Sequence, residues 1–256
     1  MTNQYSHRGL FLALATMLAL GAALLISSLS VASVSADSTG SGSTGSGTTF
    51  SDTADHWGKT YIDWLSSHCG VRGYRTENGD LTGMFKPDQR ITRAEFVKIV
   101  IGCKYPATGS GSMTGSGSTG SGSTGSGSTA SGALVFPDVP ADHWAAWSIA
   151  KAKELGIVTG YADGTFKPNQ RITRGEIVAI VIRSEFNGAN MDSTDTPFDD
   201  VDESAWFAKY IAFAAEKNVV SGYKDDNGNL TGEFGPTDAA TRAEAAKIVS
   251  NGLNAN

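Results

Sequence analysis

The chain is poor in the residues from which most chemical sites are built. Its 256 residues include two cysteines and four histidines. No His/Cys cluster has zinc-site spacing, and no nucleophile–base–acid set stands out. A Walker loop is missing too. Positive charge is scarce: 20 Lys and Arg against 26 Asp and Glu leave a formal net charge of -6. This excludes a general binder of nucleic acid or anionic membrane, so any anionic polymer must be held by local sites. After Ile26 no stretch is apolar enough to span a bilayer.

What the chain has in excess is glycine, 31 residues, concentrated in two tracts. Thr39 to Thr49 is Gly, Ser and Thr alone, and so is Gly109 to Thr129 apart from Met113. Such tracts cannot bury enough apolar surface to fold and behave as linkers. Ahead of the first tract, Leu10 to Ile26 is apolar and Val34-Ser35-Ala36 is a small-x-small cleavage site. Residues 1–36 therefore read as a secretory signal peptide, with an uncleaved N-terminal anchor as the rival reading. The exported remainder would carry no membrane span.

The ordered remainder repeats. With Trp57, Trp144 and Trp206 as anchors, Phe-x-Asp segments lie upstream, ending in Asp52, Asp138 and Asp200. A Gly-Tyr pair follows each Trp at a constant interval: Gly73-Tyr74, Gly160-Tyr161 and Gly222-Tyr223. Then come Phe85, Phe166 and Phe234, each with a proline two residues on. Each unit closes with Thr-Arg-x-Glu before an apolar run, at Thr92, Thr173 and Thr241. That is a capping box opening a helix. The apolar spacing after each Trp predicts an earlier helix in every unit. The outer copies carry longer Tyr-to-Phe loops than the middle one.

The chain thus divides into a signal peptide (1–36), a linker (37–49), repeat 1 (50–105), a linker (106–132), repeat 2 (133–190) and repeat 3 (191–256). One helix–loop–helix unit is too small for its own core. The expected fold is mainly α: three such repeats forming one pseudo-threefold helical domain.

Arg93, Arg174 and Arg242 occupy the first turn of the second helix in each unit. The helix dipole is positive there, so a cation is misplaced without an anion. Free N–H groups at the helix start would add to an anion site. That anion is either a ligand or a neighbouring Asp or Glu. The tryptophans are either core residues or sugar-stacking platforms. The Gly of Gly-Tyr reads as turn geometry with positive φ. His56 and His143 read as surface or capping residues. Asp225 to Asn229 faintly resembles a calcium loop, but its glycine is misplaced and a polar turn is the better reading. Cys69 and Cys103 both lie in repeat 1, and export favours a disulfide between them.

These motifs resemble the S-layer homology domain, whose hallmark is an Ile-Thr-Arg-Ala-Glu-like helix start after a Phe-x-Asp-Val, Trp, Gly-Tyr and Phe-x-Pro series. Phe136 to Ile182 follows that series almost throughout; Gly175 and the small Ala245 and Ala246 depart from it. The resemblance implies a monomeric internal pseudo-trimer with grooves between repeats. It implies that the grooves bind secondary cell-wall polysaccharide, often through a terminal sugar carrying a pyruvate ketal. Arg93, Arg174 and Arg242 would hold the carboxylate. Asp52, Asp138 and Asp200, with Trp57, Trp144, Trp206, Gly73, Gly160 and Gly222, would line the grooves. The implied function is a non-catalytic anchor at the bacterial cell surface, with no cofactor. The alternatives are a surface-layer protein assembling laterally and a small envelope hydrolase.

Overall fold

The capping boxes set the frame. The computed structural model describes residues 49–105 and 135–255. In it Thr92, Thr173 and Thr241 are extended N-cap residues whose hydroxyls accept from the backbone N–H of Glu95, Glu176 and Glu244. Each Glu accepts in return from the backbone N–H of its own Thr, at 2.8, 2.9 and 2.7 Å. The boxes open α2 (Arg93–Lys104), α4 (Arg174–Glu185) and α6 (Arg242–Asn254). The earlier helices are α1 (Lys59–Cys69), α3 (Ala146–Glu154) and α5 (Ala208–Glu216). At 9 to 13 residues, none would be stable alone in water, so packing must hold them.

That packing runs between repeats. α1 lies against α6, α3 against α2, and α5 against α4. Each first helix thus rests on the second helix of the preceding repeat, with repeat 3 preceding repeat 1. Deleting any repeat would strip an apolar face from both others.

The centre is a closed ring of backbone. The N–H of Ile91 donates to the carbonyl of Ala240, that of Ala240 to Ile172, and that of Ile172 to Ile91, at 3.0, 3.0 and 3.1 Å. All three residues are fully buried. Isolated β-bridges flank the ring, and the described residues hold six helices and no named strand. The expected mainly α, pseudo-threefold fold is the one found. The described residues fall in one compact unit, Ser43–Asn256. The signal peptide expected over 1–36 and the linker at 106–132 lie outside the described residues, and so does all but Thr49 of the linker at 37–49.

Inside each repeat the landmarks hold one another. Phe50 packs on Phe85, Phe136 on Phe166 and Phe198 on Phe234, with ring centroids 5.3–5.4 Å apart. A disulfide joins Cys69 at the end of α1 to Cys103 in α2. No helix among the described residues is long and apolar enough to cross a membrane.

Candidate functional site

The repeated arginines are buried, with Arg242 only 2% exposed. Each reaches across to the next repeat. The Nε groups of Arg93, Arg174 and Arg242 donate to the carbonyls of Phe166, Phe234 and Phe85, each at 2.8 Å. Each guanidinium lies over a Tyr and a Phe ring of the receiving repeat, 4.4–4.9 Å from the centroids. Burial pushes the hydroxyls of those tyrosines, Tyr74, Tyr161 and Tyr223, up to about 12, against the opposing pull of the arginines.

The anion that offsets the helix dipole comes partly from the protein. Arg93 pairs with Glu176 at 2.9 Å and Arg174 with Glu244 at 3.0 Å. Capping-box glutamates therefore do two jobs. The third interface differs. Among the described residues Arg242 has no carboxylate within ion-pair distance. Its counterpart Glu95 instead accepts from the Tyr74 hydroxyl at 3.1 Å.

The expectation of free N–H groups at these helix starts is corrected. The first two N–H groups of α2 donate to the carbonyls of Gln170 and Pro168, those of α4 to Asp238 and Pro236, and those of α6 to Gln89 and Pro87. A carbonyl of the next repeat satisfies each, so no open anion cradle remains there. Nothing in one repeat's sequence could show this, because the partners lie in another repeat.

The tryptophans lie at the surface and not in the core. Trp57, Trp144 and Trp206 are 57%, 37% and 55% exposed. The core reading of these residues is therefore wrong. Each sits in the turn before its helix, outside the apolar stripe. Lys98 Nζ lies 5.1 Å from the Trp144 ring centre and the Arg183 guanidinium 5.9 Å from that of Trp206. In two repeats a histidine braces that turn: Gly58 N–H donates to His56 Nδ1 and Ala145 N–H to His143 Nδ1.

The aspartates are clasps. Asp52 accepts from the N–H groups of Phe85 and Lys86, Asp138 from Phe166 and Lys167, and Asp200 from Phe234 and Gly235, at 2.7–2.9 Å. Both oxygens of each carboxylate are engaged, pinning the turn where Lys86 and Lys167 take the left-handed φ of 58°. Gly73, Gly160 and Gly222 have φ of 74°, 78° and 74°. A Cβ at Gly73 would come within 2.3 Å of the Met84 carbonyl oxygen. These residues fix the backbone turns of each repeat.

Between repeats 1 and 2 lies an open groove of about 670 Å³. Tyr74, Arg75, Lys86 and Glu95 form one wall, and His143 and Trp144 the other. The longer loop of repeat 1 contributes Thr76 and Glu77 to its edge. Among the described residues no group of three His, Cys, Asp or Glu could hold a metal. Asp225 accepts from the N–H groups of Asn227 and Asn229, closing a polar turn. The second role of the glutamates is not visible in one repeat's sequence, because the arginine each one meets belongs to another repeat.

A family model for the S-layer homology domain matches residues 78–97, 135–178 and 197–246. A cellulosome-anchoring protein of Acetivibrio thermocellus is 31% identical over 177 residues, which are 67% of this chain and 34% of that protein. An amylopullulanase of Thermoanaerobacterium thermosulfurigenes is 31% identical over 205 residues, 78% of this chain and 9% of that one. An S-layer protein of Bacillus anthracis is 34% identical over 119 residues, 46% of this chain and 13% of that protein. The chain spans about a third or less of the length of these relatives. Proteins with an anchoring, an enzymatic and a surface-layer name thus share sequence with it. The folded unit of this chain belongs to the S-layer homology domain family, as three tandem repeats closed around one axis.

Proposed function

We propose that this unit anchors the chain at the bacterial cell surface by holding a secondary cell-wall polysaccharide in the grooves between repeats. A terminal sugar bearing a pyruvate ketal suits those grooves. The observation that carries this is an exposed Trp in each repeat, with an inter-repeat cation over its ring at Trp144 and Trp206. A sugar's C–H face stacks on the indole while the positive field draws its carboxylate. Trp57, Trp144 and Trp206 are the platforms. Arg93, Arg174 and Arg242 hold the groove walls together and supply part of the field. Asp52, Asp138, Asp200, Gly73, Gly160 and Gly222 fix the backbone behind them. The unit turns nothing over; the names of the anchoring and S-layer relatives support that reading.

The test is binding to purified wall polysaccharide before and after mild acid removal of ketals. Trp57→Ala, Trp144→Ala and Trp206→Ala, combined, should abolish binding while the helical circular dichroism stays native. Retained binding in that variant, or after ketal removal, contradicts the proposal. Sheets or filaments formed by the free protein without polysaccharide would favour lateral assembly instead.

A further inference from the structure

The chain contains four Asn-Gly pairs: Asn78-Gly79, Asn187-Gly188, Asn227-Gly228 and Asn251-Gly252. Such a pair carries its own reaction. The backbone nitrogen of the glycine, once it gives up its proton, attacks the amide carbon Cγ of the asparagine. The N–Cγ bond forms, the Cγ–Nδ2 bond breaks, and the side-chain nitrogen leaves as ammonia. Water then opens the five-membered imide at either carbonyl and leaves aspartate or isoaspartate. Glycine favours the step because no side chain shields its nitrogen and its backbone turns freely. The attacking nitrogen must also be free of hydrogen bonding, and on this point the fold separates the four pairs.

In the two long loops the glycine is the last residue of its turn. Gly79 N–H donates to the Thr76 carbonyl at 3.0 Å, and Gly228 N–H to the Asp225 carbonyl at 2.9 Å. Bridges between Arg75 and Leu81 and between Lys224 and Leu230 hold those loops on either side. Gly252 is buried inside α6, where the helical ladder takes its N–H. Asn251 Nδ2 donates to the Val219 carbonyl at 3.0 Å.

Asn187 and Gly188 are placed differently. Their turn is closed by Ala189 N–H donating to the Phe186 carbonyl at 3.0 Å. They are its two central residues, whose N–H groups take no part in the closing bond. Gly188 has a φ of 85°, and its N–H has no hydrogen-bond partner among the described residues. Both residues are exposed. The Phe186 ring packs edge-on to Phe213, with centroids 5.3 Å apart, so the turn is fixed at its base while its tip faces water.

We infer that Asn187-Gly188 is a self-modification site, at which the folded chain converts Asn187 to aspartate or isoaspartate ahead of its other Asn-Gly pairs. The site lies between α4 and Phe198, the first landmark of repeat 3. The product places a negative charge just past the C-terminal end of α4, where the helix dipole disfavours one. Isoaspartate also adds a methylene to the main chain joining repeats 2 and 3. The backbone ring and the capping boxes lie outside this turn, so the fold survives the change. Older chains therefore carry a more acidic, lengthened link, whatever the grooves bind.

The full chain would be incubated in mildly alkaline buffer made with heavy-oxygen water, once folded and once in urea, and followed by peptide mass spectrometry. Each conversion during the incubation takes up a heavy oxygen, which sets it apart from any that came before. In the folded chain Asn187 should convert about tenfold faster than Asn78 or Asn227, the rate equivalent of one backbone hydrogen bond that must open first. In urea the four pairs should converge. Asn187→Gln should remove the label from its peptide and leave the helical circular dichroism native. Comparable rates at Asn78 or Asn227 in the folded chain, a ranking that urea leaves unchanged, or no label at Asn187 overturns the assignment.

Discussion

At the axis, Ile91, Ile172 and Ala240 make the same backbone hydrogen bond three times, at 3.0–3.1 Å. At the groove rims, the residues five beyond the repeated Arg are Lys98, Ala179 and Lys247. The two regions answer to different constraints. A backbone ring accepts any small or apolar side chain but needs one geometry, so the landmarks that fix geometry recur. A groove facing water tolerates a change of charge at little cost in stability. Near the axis even side-chain size is exchanged in compensation. Gly175 meets the Phe207 ring, whereas Ala243 meets Gly58. Gly175, a departure from the repeat motif, is the small half of a matched pair.

The comparison breaks most readily at the arginines. Arg174→Ala removes the 3.0 Å partner of the half-buried Glu244, leaving it Arg90 at 3.7 Å and the Thr241 N–H, and should cost about 3 kcal/mol in urea unfolding, the low end for a broken buried pair. Arg242→Ala strands no paired carboxylate and should cost about 1–3 kcal/mol. Equal losses would remove the distinction between the interfaces. Next is the disulfide. Its reduction should cost roughly 3–4 kcal/mol. Because repeat 1 supplies part of the ring, one cooperative transition should move as a whole. A separate early melt confined to repeat 1 would mean that the ring is not shared.

Gly175→Ala brings a Cβ within 3.0 Å of the Pro236 carbonyl oxygen and 3.2 Å of Phe207. Overpacking of this kind should cost about 1–3 kcal/mol, with Phe207→Leu recovering part of it. Additive losses in the double variant would show that the two residues do not compensate. The smallest effect at neutral pH concerns the tyrosines. Tyr74, Tyr161 and Tyr223 have hydroxyl pKa values raised from 10.0 to about 12. In that window the unfolded chain has lost protons that the folded chain keeps. Their contribution is complete below pH 10 and lost as pH rises through 12. Phenolate absorbance should develop late in the native protein, together with unfolding. Early titration of all the tyrosines with the helices intact would contradict the burial argument.

Much of this was legible in the sequence because it is local. The capping boxes, the Gly-Tyr turns and the repeat count each depend on residues close together in the chain or at fixed offsets. The rest was not legible because its partners are distant. Arg93 and Glu176 are 83 residues apart, and Arg242 and Phe85 are 157 apart. The cation at each helix start signalled an anion, but not that another repeat's capping Glu supplies it in two of three cases. For the tryptophans the sequence leaves core and platform both open, because Trp is highly buried on average. Here the turn before the helix lifts them out.

The core belongs to no single repeat, and removing one tests that directly. Residues 133–256, lacking repeat 1, would be compared with the whole chain by calorimetry and circular dichroism. An unclosed ring predicts no cooperative melt and weakened helical signal in the fragment, against one sharp transition in the whole chain. A fragment that melts cooperatively with native helix content would contradict the shared ring.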